Sequence, residues 1–284
     1  MTELFARPDR LDAALALMAA GGWRPLAGGT DLYAATRAAR LDGPVLDLTA
    51  IPALCGVSTM PDGLRIGAAT PWATLAAADL PPALDMLRAA AREVGGRQVQ
   101  ARGTIGGNLC NASPAADGVP PLLAAGAEVE LASTAGTRRL PLAAFLLGPR
   151  RTALAAGELL TAVLIPAEGL QGRSAFLKLG ARAHLVISIA MVAVRVVIEG
   201  DRIARAAVAV GACSATACRL PAVEAALVGQ GQAGPRFDPA LVTAALSPLD
   251  DIRATAAYRR EAAAELVARA LSAALAAARP EPAL

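Results

Sequence analysis

The chain of 284 residues is 55% hydrophobic and 18% charged, a composition that can bury a sizeable core and excludes a disordered protein. Its 27 basic and 24 acidic residues give a net charge of +3 without a basic run, so a dedicated nucleic-acid binder is not expected. The most apolar stretch, 185–198, is shorter than the ~20 residues that a bilayer helix needs and contains Arg195. We therefore expect no membrane span, and the length suggests about two domains.

The N-terminus and the cysteines indicate a cytoplasmic protein. Charged residues precede and interrupt the first apolar segment, whereas a secretory signal has a basic start and an uninterrupted apolar stretch. Cys55, Cys110, Cys213 and Cys218 form no CxxC pair, which favours reduced thiols over disulfides or a zinc site. With a single histidine, His184, the chain lacks the imidazoles of a His-rich metal site, and we expect it to bind no metal.

The first 53 residues are predicted to form a small unit in which helices and strands alternate. Asp9 is the expected N-cap of a helix that the glycine pair at 21–22 ends. A buried strand over 23–27 leads directly into a glycine loop. After this loop the pattern predicts a helix over 32–40 and a strand over 45–48.

The segment from residue 54 to about 170 predicts a second α+β unit. Pro61, Asp62 and Gly63 form a turn signal between two apolar runs, which indicates a hairpin. Between residues 95 and 121 all periodicity is lost, so a long loop is expected there, and loops of that length are usually functional or disordered. The other predicted elements are strands over 54–58, 64–66, 127–133 and 158–165, helices over 71–78 and 82–94, and a linker over 166–172.

The last part of the chain predicts an antiparallel sheet followed by helices. Three strand-like runs with short turns, as at Gly200 and Asp201, indicate antiparallel neighbours. In the final long helix Tyr258, Leu266, Ala270 and Leu275 are expected to pack on this sheet. The strands are predicted over 174–179, 186–198 and 203–210, and the helices over 221–228, 239–246 and 254–278. The predicted fold class is therefore α+β, in two parts that meet near residue 170.

Two glycine-rich loops are the main candidates for a ligand-binding site. The first is PLAGGTDL at 25–32 and the second is RGTIGGNLCNASPAAD at 102–117. Glycines let a backbone approach a diphosphate closely and turn successive N–H groups inward as an anion-binding nest. Neither loop is a GxGxxG motif, so a Rossmann nicotinamide site is not supported. Ordinary turns remain the simpler explanation of the first loop taken alone.

These loops and three further segments resemble the FAD-binding, medium-sized subunit of the molybdenum hydroxylases, the family that includes bacterial CO dehydrogenase and xanthine dehydrogenase. The further segments are ELLTAVLIP at 158–166, FLKLGARAHLVIS at 176–188 and DDIRATAAYRREAAAELVARAL at 250–271. The resemblance implies a two-part FAD-binding domain of the p-cresol methylhydroxylase type at 1–170, divided near residue 53. A smaller C-terminal α+β domain with an antiparallel sheet would follow at 171–284.

The resemblance also implies non-covalent FAD and a set of contact residues. The implied positions are Leu26, Ala27, Gly28, Gly29, Thr30, Asp31, Leu32, Thr104, Ile105, Gly106, Gly107, Asn108, Asp117, Leu160 and Lys178. Thr30 and Thr104 are suited to donate hydroxyls to phosphate oxygens, and Lys178, the only lysine, to place positive charge near the flavin. A loop-capping role for Asp117 and a core role for Leu160 remain the alternatives.

The implied function is electron transfer within a heterotrimer. A large partner would oxidise the substrate at a molybdenum-pterin cofactor, [2Fe-2S] clusters of a small partner would pass the electrons on, and FAD in this chain would collect them for NAD, a quinone or oxygen. No catalytic side chain is expected, and no iron-sulfur cluster in this chain, because its cysteines are scattered. The alternatives are a free-standing FAD-dependent oxidoreductase and a non-enzymatic nucleotide-binding module.

Overall fold

The computed structural model describes residues 4–37 and 41–278, which form a mixed helix and strand protein, as the sequence predicts. The first unit has a parallel sheet in which β3 lies between β1 and β2. A separate small core, including Ala14, Leu46 and Ile51, lies between this sheet and α1. The elements are β1 (Phe5–Ala6), α1 (Leu11–Ala20), β2 (Arg24–Leu26), α2 (Leu32–Ala35) and β3 (Val45–Asp47).

Two predictions for this unit are wrong in detail. The N-cap of α1 is Arg10 instead of Asp9, because the carboxylate of Asp12 takes hydrogen bonds from both the Arg10 side chain and the Ala13 N–H group. The helix α2 ends at Ala35, where the following residue becomes extended. The predicted helix extends to residue 40, and residues 38–40 lie outside the described part of the chain.

The second unit is built on a five-stranded antiparallel sheet in the order β4-β5-β10-β6-β7. The hairpin predicted around Pro61 is present, with its strands shifted towards the turn. The strands are β4 (Val57–Met60), β5 (Gly63–Gly67), β6 (Glu128–Ser133), β7 (Gly136–Pro141), β8 (Leu146–Gly148), β9 (Arg151–Thr152) and β10 (Leu159–Pro166). The helices are α3 (Trp72–Ala77), α4 (Asp85–Glu93), α5 (Arg97–Arg102), α6 (Ile105–Asn111), α7 (Val119–Ala124) and α8 (Leu142–Phe145), with 3₁₀ turns at Pro52–Leu54, Pro82–Leu84 and Ala167–Leu170.

The long loop predicted over 95–121 is wrong, because α5, α6 and the start of α7 occupy it. Each of these helices has at most two turns, which is too short for an apolar period to be visible. Gly106 and Gly107 lie inside α6 despite the low helix propensity of glycine. Thr104 compensates by capping this helix through its side chain, and the adjacent prolines of α7 occupy its first turn, where proline is tolerated.

The C-terminal part has a four-stranded antiparallel sheet in the order β11-β12-β13-β14, which confirms the predicted sheet. In β12, Met191 and Ala193 face the main core shared with the second unit, whereas Val192 and Val194 face the helices. Burial on both faces explains the continuous apolar run in the sequence. The elements are β11 (Arg173–Leu179), β12 (Ala190–Glu199), β13 (Arg202–Gly211), β14 (Cys218–Arg219), α9 (Pro221–Leu227), α10 (Pro239–Ala244) and α11 (Ala256–Ala278).

Two predictions for this part fail. Residues 186–189 are not in a strand, and the side chain of Ile187 is exposed. Tyr258 is also exposed, while Ala270 and Leu275 pack in the core between α11 and the sheet as predicted. None of the helices in the described ranges combines the length and apolar character needed to cross a membrane.

Candidate functional site

The first glycine loop follows β2 and runs from Gly28 to Leu32. Gly29 has a φ of 72°, in the left-handed region that favours glycine. Within residues 4–37 and 41–278, no backbone acceptor pairs with the backbone N–H groups from Gly28 to Leu32. The loop is only partly buried, so these donors are open to a ligand. A row of free N–H groups is the arrangement that binds an anion such as a diphosphate.

The two glycine loops touch each other at Gly28. A Cβ at this position would lie 1.8 Å from the carbonyl oxygen of Arg102 and 2.9 Å from the Cα of Gly103. Thr30 lies at the same junction, because a Cβ on Gly103 would be 3.3 Å from its Oγ1. Only a residue without a side chain permits this approach, and the structure thus brings the predicted loops together.

The second loop differs from the first because its backbone donors are already used. The N–H of Ile105 donates to the carbonyl of Thr70 at 3.1 Å, and that of Gly106 to Ala68 at 2.8 Å. The N–H of Gly107 donates to Oγ1 of Thr104 at 3.1 Å. The expected nest of inward N–H groups is therefore absent from the described part of this loop at 105–107. These bonds fasten the loop to the segment after β5. Among the residues that the structure describes, the Thr104 hydroxyl accepts a hydrogen bond but donates none.

Asn108 retains an unused polar atom beside this junction. Its Oδ1 is buried and has no hydrogen-bond partner within the described residues. Buried polar atoms are normally paired, so such an orphan indicates a missing partner at this position. A ligand group that donates a hydrogen bond fits the orphaned atom.

Two side chains outside the predicted contact residues, Asn111 at the end of α6 and Arg150, also connect the two loops. Nδ2 of Asn111 donates to Oδ1 of Asp31 at 2.8 Å. Arg150 in turn donates to the side chain of Asn111, and its own N–H donates to the carbonyl of Ala112 at 2.9 Å. Arg150 adopts a positive φ of 59°. The sequence does not predict its contacts with Asn111 and Ala112, because no local pattern indicates them.

Asp117 and Lys178 form a buried ion pair. The Nζ of Lys178 lies 2.6 Å from Oδ2 of Asp117, and only 7% and 10% of the two side chains are exposed. Lys178 also donates to the carbonyl of Glu93 at 3.2 Å, and Ser188 donates its hydroxyl to Oδ1 of Asp117 at 2.6 Å. Burial raises the pKa of Asp117, an effect that Lys178 and Ser188 oppose and the nearby charge of Glu93 reinforces.

The pairing of these two residues was not predicted, although both were named. The sequence indicates Asp117 and Lys178 as separate contacts and does not indicate Ser188. A usable signal was present, since Ser188 ends the quoted segment 176–188 that also contains Lys178. The structure thus shows that the Asp117 carboxylate neutralises the charge of the only lysine, so this lysine does not act as an isolated positive charge.

The remaining predicted residues lie in or beside the core. Ile105 and Leu160 are buried in the main core. Leu26 is also buried, at the end of β2, whereas Ala27 and Leu32 are partly exposed. The indole of Trp72 lies between the second loop and Asp117: a Cβ on Gly103 would be 3.5 Å from its Cδ1, and one on Gly118 2.3 Å from its Cη2. The second glycine loop and the Asp117 pair thus lie on either side of Trp72, while Leu160 belongs to the core.

All four cysteines are free thiols. Among the residues that the structure describes, no group of three or more His, Cys, Asp or Glu side chains is arranged to hold a metal ion.

Comparison with known proteins defines the class of this fold. The family described as "FAD binding domain in molybdopterin dehydrogenase" matches residues 1–168, and the "CO dehydrogenase flavoprotein C-terminal domain" matches residues 175–274. The chain is thus an FAD-binding oxidoreductase subunit. More particularly, it belongs to the family of FAD-binding medium subunits of the molybdenum hydroxylases.

Similar proteins extend over nearly the whole chain. The glyceraldehyde dehydrogenase medium chain of Sulfolobus acidocaldarius is 29% identical over 94% of this chain and 96% of its own. The nicotine 6-hydroxylase medium subunit of Paenarthrobacter nicotinovorans is 32% identical over 87% of both chains. The structure of reconstituted CO dehydrogenase from Oligotropha carboxidovorans superimposes with a TM-score of 0.89 and 30% identity, covering 97% of this chain and 98% of that one.

Proposed function

We propose that the first glycine loop holds the diphosphate of FAD through its free N–H groups from Gly28 to Leu32. The Thr30 and Thr104 hydroxyls lie at the junction of the loops, where they add side-chain donors, and Asn108 offers its orphaned Oδ1 to a donor on the cofactor. The second loop positions these groups instead of supplying backbone donors. Asp117, Leu160 and Lys178 complete the proposed contacts.

The cofactor gives the chain its redox function. Bound FAD accepts electrons one at a time and releases them in pairs, which suits a relay from [2Fe-2S] clusters to a two-electron acceptor. The chain's own residues bind and orient the cofactor, and no side chain is assigned an acid or base role. The single observation that carries this proposal is the match of the two family regions to residues 1–168 and 175–274 of the chain.

We also propose the division of the chain at residues 53 and 170, with domains at 1–170 and 171–284. The separate core around Ala14 and Leu46 supports a first subdomain. The second sheet, β4-β5-β10-β6-β7, supports the other subdomain. The core between α11 and β12 supports the C-terminal domain.

The proposed partners are a large molybdenum-binding subunit and a small [2Fe-2S] subunit. Relatives that match most of this chain and most of their own length are named as the medium chain of glyceraldehyde dehydrogenase and the medium subunit of nicotine 6-hydroxylase. Because these substrates differ while the flavoprotein chains align, the substrate is proposed to be recognised by the large partner. The acceptor is NAD, a quinone or oxygen, and the compartment is the cytoplasm, in keeping with the four free thiols.

An exposed apolar face is proposed to contact the small partner. The apolar face comprises Leu185, Ile187, Leu249, Ile252 and Tyr258. Its two segments are adjacent, since Arg253 donates to the carbonyl of Ser188 at 3.5 Å. Ser188 binds Asp117, so the face lies beside the proposed flavin contacts, and electron transfer requires a donor close to the flavin. Large apolar side chains grouped on a surface commonly mark a protein interface.

Purification of the tagged chain from its native source tests the proposed function. We expect large and small partners to co-elute, with flavin and iron-sulfur absorbance and with molybdenum in the preparation. A lone monomer with full activity on a defined substrate and neither molybdenum nor iron would instead support a free-standing oxidoreductase. A preparation without flavin would support a nucleotide-binding module.

A further inference from the structure

The segment DDIRATAAYRR at 250–260 contains a buried arginine near the start of α11. Only 2% of Arg259 is exposed, and its Nη1 donates to the carbonyls of Ile189 at 2.6 Å and Ala212 at 3.0 Å. Its Nη2 donates to Oδ1 of Asp251 at 2.6 Å. The guanidinium therefore joins the start of β12, the end of β13 and the turn before α11.

Asp251 organises a second arginine in the same place. The N–H of Arg253 donates to Oδ1 of Asp251 at 2.8 Å, and its Nη2 lies 2.5 Å from Oδ2. Nη1 of Arg253 then reaches the carbonyl of Ser188. The carbonyls of Ser188 and Ile189 are thus both held by arginines that share one carboxylate.

These carbonyls belong to the two residues that close the loop over the Asp117 pair. The N–H of Ile189 donates to the carbonyl of Leu179 at 2.8 Å, directly after Lys178. The side chain of Ser188 points to Asp117, while Lys178 binds the other carboxylate oxygen. The position of the Ser188 hydroxyl consequently depends on the backbone that Arg259 and Arg253 hold.

We propose that Asp251 and Arg259 are positioning residues that keep the Ser188 hydroxyl on Asp117 and so maintain the three-membered cluster of Ser188, Asp117 and Lys178. The importance of the cluster for FAD rests on the proposed function, whereas the geometry of the cluster does not. This role explains a sequence segment that lies outside the glycine loops and contains none of the proposed cofactor contacts.

The charged groups around Asp117 make this role measurable. Lys178 on β11 stabilises the carboxylate, the Glu93 charge at the end of α4 destabilises it, and the Ser188 hydroxyl supplies a neutral hydrogen bond. Because a hydrogen bond to a charged group is worth about one pKa unit or more, displacing Ser188 raises the pKa of Asp117 by about one unit. Lysine in place of Arg259 has one ammonium group and cannot reproduce the planar fork that reaches two carbonyls and Asp251.

The test follows Asp117 by carbon NMR in the full-length, FAD-free chain, with Asp117→Asn used to identify its signal. We expect Ser188→Ala and Arg259→Lys each to raise the pKa by about one unit, and the double variant to show no further shift, since both act on one hydrogen bond. Arg195→Lys is the matched control. Arg195 is also partly buried and donates to the carbonyls of Ala124, Glu168 and Gln171, but it does not touch this cluster, so its replacement leaves Asp117 unchanged.

The proposal would be overturned if the pKa of Asp117 in Arg259→Lys equals that of the wild type. It would also be overturned if the two pKa shifts add in the double variant. If Arg259→Lys does not fold, Asp251→Asn replaces it, because that change removes the charge and one acceptor oxygen of the carboxylate that both arginines share, while keeping the side-chain size. In the FAD-bound chain, the flavin midpoint potential is measured as a function of pH. The pH at which the slope of this curve changes is expected to rise together with the pKa of Asp117. A chain that binds no FAD refutes the proposed function and leaves the NMR result to decide this inference.

Discussion

At the scale of single residues, Asp117 and Lys178 depend on each other. Taking either charge out of water is costly, and their contact at 2.6 Å offsets that cost only while both are present. The lysine also cannot act as a free positive charge, because the carboxylate beside it makes the pair neutral overall. In the proposed site its effect on FAD is therefore that of an oriented dipole, and among the described residues one of its three ammonium protons has no acceptor.

Lys178→Met is expected to lower the free energy of unfolding by about 3–5 kcal/mol, because Asp117 is left buried without its cation. The double variant Lys178→Met/Asp117→Asn recovers most of this loss, since no buried charge remains. Chemical denaturation of the FAD-free chain measures both values. Equal stability of the single and double variants would show that the pair is not coupled in this way.

Gly28→Ala is expected to weaken FAD binding by about tenfold or more, because the new Cβ forces the two loops apart and displaces their donors. The flavin content of the purified protein and a titration of the FAD-free chain measure the effect. Gly234→Ala is the matched control, since nothing lies within 4 Å of its Cβ position and its φ is not in the left-handed region. Full flavin content in Gly28→Ala would refute the assignment of the diphosphate to this loop.

At the scale of elements, the sequence predicts those helices and strands whose burial follows a period. The strands of the C-terminal sheet and α11 bury repeated apolar residues, and their positions were predicted within a few residues. The sequence does not predict α5 or α6, because both are too short to show an apolar period. The start of α6 is stabilised by hydrogen bonds to the carbonyls of Ala68 and Thr70, and these partners are distant in sequence. The glycine loops were recognisable from their composition, whereas the use of their N–H groups was not.

The turn before α11 gives a prediction for pH. The hydrogen bond from Arg253 is the main cause that holds the pKa of Asp251 below its ordinary 3.8. A depressed pKa stabilises the folded state above the ordinary value, and this contribution is lost as the pH falls below it. The stability difference between wild type and Asp251→Asn is thus expected to be constant above about pH 5 and to shrink below about pH 4. Urea unfolding over this range measures it, and a difference that grows on acidification would contradict the assignment.

At the scale of the whole molecule, one core connects the regions that the two family descriptions match. Phe176 and Met191 of the C-terminal sheet belong to the same cluster as Ile66 and Leu87 of the second unit. Arg195 adds three hydrogen bonds from β12 to carbonyls at Ala124, Glu168 and Gln171. Separating these parts would expose this core, so the C-terminal sheet is a fixed support for Lys178 and Ser188.

The last prediction concerns the apolar face, which lies on the surface outside this core. Of the exposed large hydrophobic residues in the described ranges, five form the apolar face, while Leu147 and Val228 belong neither to it nor to its two segments. Ile187→Asp together with Ile252→Asp is expected to reduce recovery of the small partner about tenfold or more, because a carboxylate buried in an interface without a partner loses its hydration. Quantitative co-purification measures this, with FAD content per chain expected to remain unchanged. Leu147→Asp together with Val228→Asp is the matched control and should leave the complex intact. Recovery of the small partner at the wild-type level in the Ile187 and Ile252 variant would place the electron donor on another surface.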